Sequence, residues 1–168
     1  RPGHATYCFY KKYGEYQDWC GAGRSSGRET VGRVAGGAVA KTILAREGID
    51  LIAYTSECMG IKAKAMTFEE AKKNYRKNEI NCPDLETAEK MTQRVLQIKD
   101  EGDTAGGIIT LRIKGAPAGL GEPVFDKLSA LLGHALFSIG AVKGVEFGAG
   151  FRVGQMKGSE NNDQFTTV

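Results

Sequence analysis

Between Arg28 and about Glu47, Val31, Val34, Ala35, Ala38, Val39, Thr42 and Ile43 recur three and four residues apart. That spacing stacks side chains on one face of a helix, and all but Thr42 are apolar, so a long helix with a buried stripe is expected. Gly48 stands where a left-handed residue commonly closes a helix. Gly32, Gly36 and Gly37 lie inside it, each costing about 1 kcal/mol against alanine, which predicts a close helix contact or a ligand. A strand-like run, Ile49 to Tyr54, follows, and residues 56 to 83 are weakly patterned.

Asp84 reads as the cap of a second helix, with Met91, Val95 and Ile98 inward, Gly102 past its end, and Glu86, Glu89, Lys90, Gln93, Arg94, Gln97 and Asp100 solvated. From Ile108 to Lys114 the pattern alternates, with Ile109, Leu111 and Ile113 on one face and Thr110, Arg112 and Lys114 on the other, a half-buried strand. Pro123 suits the first position of a third helix whose stripe is Phe125, Leu128, Leu132, Ala135, Leu136 and Ile139. Val145, Phe147, Phe151 and Val153 suggest extended structure interrupted by Gly148 and Gly150. Strands alternating with long helices, without a repeat or a linker, predict a layered α+β fold with residues 1–168 as a single domain.

Lys and Arg number 23 against 20 Asp and Glu, scattered along the chain, so neither nucleic acid nor an acidic membrane is implied as a partner. No apolar run approaches the roughly 20 residues of a membrane span, and no signal peptide opens the chain. Cys8, Cys20, Cys58 and Cys82 form no CxxC pair and no zinc-like spacing, so no metal is expected and the thiols are read as reduced, in a cytoplasmic protein. Because Arg1 opens directly into a dense motif, a fragment or processed chain is expected.

Chemistry concentrates in "GAGRSSGRET", Gly21 to Thr30, at the front of the first helix. Small residues let backbone N–H groups approach an anion, Ser25 and Ser26 supply hydroxyls, and the helix start carries partial positive charge. Arg24 and Arg28 add permanent cations with bidentate geometry. The segment is neither a Walker loop nor GxGxxG. Its competing reading is a serine-rich helix cap with solvated arginines. Upstream, "RPGHATY" places Arg1 and His4 in one turn-like segment, where a lone histidine serves either as a surface group or in acid–base work. His134, on the third helix, reads as structural, and "GLGEPVFDKL", Gly119 to Leu128, as a tight turn before that helix. Asp103 and Asp126 lack a second ligand at metal spacing.

"RPGHA", "GAGRSSGRET", "GDTAGG", "GLGEPVFDKL", "AVKGVEFGAGF" and "GSENND", in this order, resemble the middle of chorismate synthase, from Arg1 to Asp163. The resemblance implies a layered β-α-β sandwich of antiparallel sheets enclosing long helices, and a homotetramer for the full-length parent. It also implies conversion of 5-enolpyruvylshikimate 3-phosphate to chorismate by 1,4-elimination of phosphate, with reduced FMN (FMNH2) as cofactor and no net redox change. The flavin is reduced either by the parent itself with NADPH or by a separate reductase.

By the same resemblance His4 matches a proton-transfer histidine beside the flavin. Arg1 and Arg28 look like substrate-binding arginines, and Arg24, Ser25 and Ser26 look like the flavin-binding triplet, with Ser26 also near substrate. Thr6 stands where the family commonly has Asp, Ala22 replaces a Gly and Gly27 an Ala. The family's opening Gly-x-Ser-His-Gly segment, with a second catalytic histidine, and its closing flavin contacts are not in this sequence. The fragment alone is therefore expected to turn over little or not at all. A non-catalytic folding or assembly core and a generic anion-binding module are the alternatives.

Overall fold

The computed structural model describes residues 3–164. They form a mixed α+β chain in two compact units, one made of residues up to Gly37 with those from Pro117 onward, the other of Ala38–Ala116.

In the second unit, β1 (Asp50–Cys58) is the centre of an antiparallel sheet of order β2-β1-β3, with β2 at Ile61–Lys62 and β3 at Gly107–Lys114. The register sets Ile52 opposite Arg112 and Tyr54 opposite Thr110. Ile52 and Tyr54 pack on Phe68 and Ala71 of α3 (Phe68–Asn74). At the other end of β1, Cys58 meets Cys82, Ala88 and Met91, the last two on α4 (Leu85–Asp100). Directly opposed residues of an antiparallel pair share a face, so Thr110 and Arg112 lie on the helix-covered side.

The expected alternation is present, and the register shows which face is covered. Ile109, Leu111 and Ile113 share the open one, and Ile109 is 64% exposed. Arg112 instead stacks its guanidinium 5.7 Å from the Phe68 ring centre and donates to the Met66 carbonyl at 2.8 Å. Its long stem covers apolar surface while its charge finds partners.

The second helix matches expectation. Asp84 caps it, Met91 and Ile98 are buried, and Gly102 follows at φ +75°. The α3 helix lies in the stretch that carried no pattern. Its signal is the capping box of Thr67 and Glu70, each side chain bonded to the other's backbone N–H.

The first helix is present as α2 (Thr30–Arg46), entered through a 3-10 turn at Gly27–Glu29 and followed by Gly48 at φ +76°. Its stripe is not covered: no residue of α2 is buried, and Val31 is 73% exposed. A Cβ added at Gly32, Gly36 or Gly37 would meet nothing within 4 Å, so no close contact among the described residues accounts for these glycines.

In the first unit α1 (Thr6–Tyr13) leads the chain and α5 (Leu128–Phe137) lies near its other end. The α5 helix starts later than Pro123 because a reversal intervenes. Glu122 N–H donates to the Asp126 carbonyl at 2.8 Å, and Gly121, at φ +83°, bridges to Lys127. A Cβ at Gly121 would sit 2.5 Å from the Leu128 nitrogen. The expected extended structure near Phe151 is instead a 3-10 stretch, Gly150–Gln155, between glycines 148 and 150 at positive φ and a β-region cap at Met156.

Candidate functional site

The first unit gathers the front of the chain around α1. Ala5 precedes the helix in αR geometry and offers no side-chain cap. His4 takes over that role: Thr6 N–H donates to His4 Nδ1 at 3.2 Å, and the Thr6 hydroxyl lies 3.0 Å from the same nitrogen. The half-buried imidazole lines an open cleft of about 840 Å³ with Thr6, Tyr10, Gln17 and Trp19. The rings of Tyr10 and Trp19 stand 6.2 Å apart at 58°, an edge-tilted aromatic pair. Gln17 Oε1 is buried without a hydrogen-bond partner among the described residues, and such an acceptor calls for a donor.

Asp18 organises the loop that follows. Its Oδ1 accepts from Gly21 N–H at 3.0 Å and Cys20 N–H at 2.9 Å. The amides of Gly21 and then Cys20 hold its carboxyl below the ordinary carboxylate range. Slight burial opposes them, while the Gly23 amide and the Arg28 charge add to the lowering. A Cβ at Gly21 would come within 3.2 Å of the Arg28 guanidinium, so the small residue there lets arginine and loop approach. Gly23 has φ +48° and Ala22 φ +64°, the left-handed turn that sends the chain toward α2.

The predicted hydroxyls are held in this turn. Ser25 Oγ donates to the Ala22 carbonyl at 2.6 Å, and Ser26 Oγ accepts from Arg28 N–H at 3.2 Å. Those are the contacts that the helix-cap reading predicts. Arg24 pairs with Glu29 at 2.9 Å with its side chain 85% exposed. A pair so open to water contributes about 0–1 kcal/mol, so the guanidinium is easily redirected to an anion.

Arg24 and Ser25 line a second cleft of about 310 Å³ with Tyr13 and Asp18, and Thr6 and Gln17 border both clefts. Thus His4, Arg24 and Ser25 are brought to adjoining spaces. Ser26 and Arg28 follow on the turn entering α2, and Arg1 lies outside the described residues. Asp18, Gln17, Tyr10 and Trp19 were not singled out by sequence reasoning. Only Asp18 had a readable signal, an Asp two to three residues ahead of the amides it bonds, just before a glycine turn.

Elsewhere the candidates stand apart from these clefts. His134 is exposed on α5, within the helix. Asp103 Oδ1 accepts from Thr104 N–H at 2.7 Å. Among the described residues no group of three His, Cys, Asp or Glu side chains is placed to hold a metal. No helix there is long and apolar enough to cross a membrane. Cys8 and Cys20 are exposed and Cys58 and Cys82 buried, each a free thiol.

Comparison with known proteins gives one consistent result. The family described as chorismate synthase matches residues 1–168. The chorismate synthase of Acetivibrio thermocellus is 61% identical over 164 residues, 97% of this chain and 42% of that protein. That of Methanosarcina acetivorans is 54% identical over 165 residues, 98% of this chain and 45% of its own length. A solved structure titled "Crystal Structure of Chorismate Synthase" superposes with a TM-score of 0.76 at 28% identity, covering 83% of this chain and 45% of that one. The chain therefore spans somewhat under half the length of the relatives it matches.

Proposed function

The chain belongs to the chorismate synthase family, and we propose that it carries part of a site at which 5-enolpyruvylshikimate 3-phosphate loses phosphate and a proton to give chorismate. The observation that carries this reading is the adjacency of the His4 cleft and the Arg24–Ser25 turn across Thr6 and Gln17, in a chain the family matches from end to end.

The residues present suit reduced FMN. Tyr10 and Trp19 offer flat apolar walls, and the unpartnered Gln17 Oε1 wants an N–H donor of the kind an isoalloxazine ring bears. Arg24 and Ser25, next door, suit a phosphate. When bound, the reduced flavin supplies transient electron density while phosphate departs, with no net redox change.

The chain's own groups then hold charge and move a proton. His4 carries a proton at its imidazole beside the flavin, and Arg28, with Arg1, binds the anionic groups of the substrate. Ser26 serves both the flavin and the substrate on this reading. The β-α-β layering, one domain over residues 1–168, a homotetrameric parent, NADPH as a source of flavin electrons and a cytoplasmic location all belong to this proposal.

The test is anaerobic chorismate formation by the full-length protein containing this segment, with reduced FMN. His4→Ala is expected to lower the rate by about 10²–10⁴-fold, the usual worth of a positioned proton-transfer group. An unchanged rate removes His4 from the chemistry. The 168-residue chain by itself is expected to bind FMN saturably with little or no turnover. The alternative of a non-catalytic core draws on the capping bonds of Ser25 and Ser26; absence of FMN binding would favour it, and binding of plain phosphate without preference for flavin would favour a generic anion site.

A further inference from the structure

We propose that Thr6 is a positioning residue that fixes neutral His4 in the tautomer carrying its proton on Nε2. A backbone amide only donates, and Thr6 N–H points at His4 Nδ1 from 3.2 Å. That nitrogen must therefore present a lone pair, which leaves the ring proton on Nε2.

The Thr6 hydroxyl, 3.0 Å from the same atom, reinforces the choice by donating. A hydroxyl can also turn and accept. When the imidazole takes up a second proton, at Nδ1, the amide loses its acceptor while the hydroxyl keeps a bond by reversing its direction. One side chain thus serves both charge states, and the ring keeps its orientation through a proton-transfer cycle. A carboxylate at position 6 could only accept, and would draw the proton to Nδ1.

The local fold supports the arrangement. Thr6 opens α1, so its amide is one of the donors that a helix start leaves without an intrahelical partner, and Ala5 provides no side-chain cap. His4 Nδ1 fills that gap, so helix capping and tautomer are set by one contact. The role of His4 in turnover rests on the function proposed above, whereas the tautomer rests on geometry alone, and the experiment keeps the two apart.

The experiment is nitrogen-15 NMR of the imidazole rings in the 168-residue chain, at alkaline pH where imidazole is neutral, with His134→Gln used for assignment. A pyridine-type Nδ1 and a pyrrole-type Nε2 are expected for His4 in the native chain and in Thr6→Ser. Thr6→Asp is expected to exchange the two signatures. A native His4 with a protonated Nδ1, or with the averaged shifts of free histidine, overturns the proposal whether or not the Asp variant folds, and so does a folded Thr6→Asp chain with native shifts.

In the full-length protein, Thr6→Ala, which removes the hydroxyl that holds the ring once Nδ1 is protonated, should lower kcat on the order of tenfold with KM little changed, and Thr6→Ser should retain it. If His4→Ala leaves turnover intact while the tautomer is as stated, the functional reading fails and the structural inference stands. If His4→Ala abolishes turnover but the shifts show the opposite tautomer, the reverse holds.

Discussion

Asp84 lies where three segments of the second unit meet, and removing its carboxylate should cost the chain a large fraction of its stability. The side chain is buried, and it accepts from the Thr87 hydroxyl at 2.6 Å, the Lys64 amide at 3.1 Å and, more weakly, the Thr87 amide at 3.4 Å. Loss of an N-cap costs about 1 kcal/mol, and a buried donor left unpaired costs about 1–3 kcal/mol. The Thr87 hydroxyl is buried, but Lys64 is exposed and its amide can recruit water. Asp84→Ala should therefore lose about 2–4 kcal/mol, against the roughly 5–15 kcal/mol of an ordinary domain. Asp84→Asn keeps one accepting oxygen and should lose less.

Urea unfolding followed by far-ultraviolet circular dichroism measures both losses. A pH series adds a sign. Burial pushes the Asp84 carboxyl up, but the Thr87 hydroxyl, the Lys64 amide and the Thr87 amide together outweigh it, with a net lowering. A lowered native value means that the contribution is present above the unfolded value of about 3.9. It fades as pH falls through the lower native one. The native chain should weaken in that window more than Asp84→Ala. A loss below about 0.5 kcal/mol for Asp84→Ala, or equal acid weakening of both proteins, would refute the reasoning.

Two further outcomes are expected. Because amide donors hold the Asp18 carboxyl down, exchange protection at Cys20 and Gly21 should persist above the ordinary Asp value and disappear as pH falls through the lowered one; protection that survives in Asp18→Ala would show that the loop is held otherwise. Cys8 and Cys20 are exposed while Cys58 and Cys82 are buried, with burial pushing the Cys82 thiol up, so a thiol reagent should label the first two in the native chain and the others only after unfolding. Rapid native labelling of Cys82 would contradict the packing of α4 on the end of β1.

The parts of the fold that could be read in advance are those whose signals are local. The α4 helix was legible because Asp84 bonds its own helix start and Met91 and Ile98 repeat at helical spacing. The α3 helix has seven residues, too few for a periodic pattern, and only the Thr67–Glu70 box marks it. The β3 alternation was readable, but not which face would be covered, because register depends on which β1 residue lies opposite. The register places Arg112 opposite Ile52, over the Phe68 ring. In the site, the glycine, serine and arginine turn was legible from composition. Gln17 was not, since nothing in the sequence distinguishes a glutamine whose carbonyl is buried without a partner.

The apolar stripes need a different account. Val31, Val34, Val39 and Ile43 on α2, and Ile109, Leu111 and Ile113 on β3, all count among the exposed large hydrophobics. Covering a fully exposed side chain of this kind is worth about 1.5–3 kcal/mol; at exposures of 37–73% the seven together stand to gain on the order of 6–12 kcal/mol, comparable to the whole stability of a domain. A helix alone gains nothing from keeping them regularly on one side. The regularity is thus a record of burial, and periodicity reports it without naming what does the covering. No described residue buries them, and the chain spans 42% and 45% of two of the relatives it matches. The glycines at 32, 36 and 37 fit the same logic, since close approach to α2 is useful only to a surface that comes near it, and none among the described residues does. The helix was legible from this segment because its period is local. Its partner was not, because a period records which face is apolar and not what lies against it.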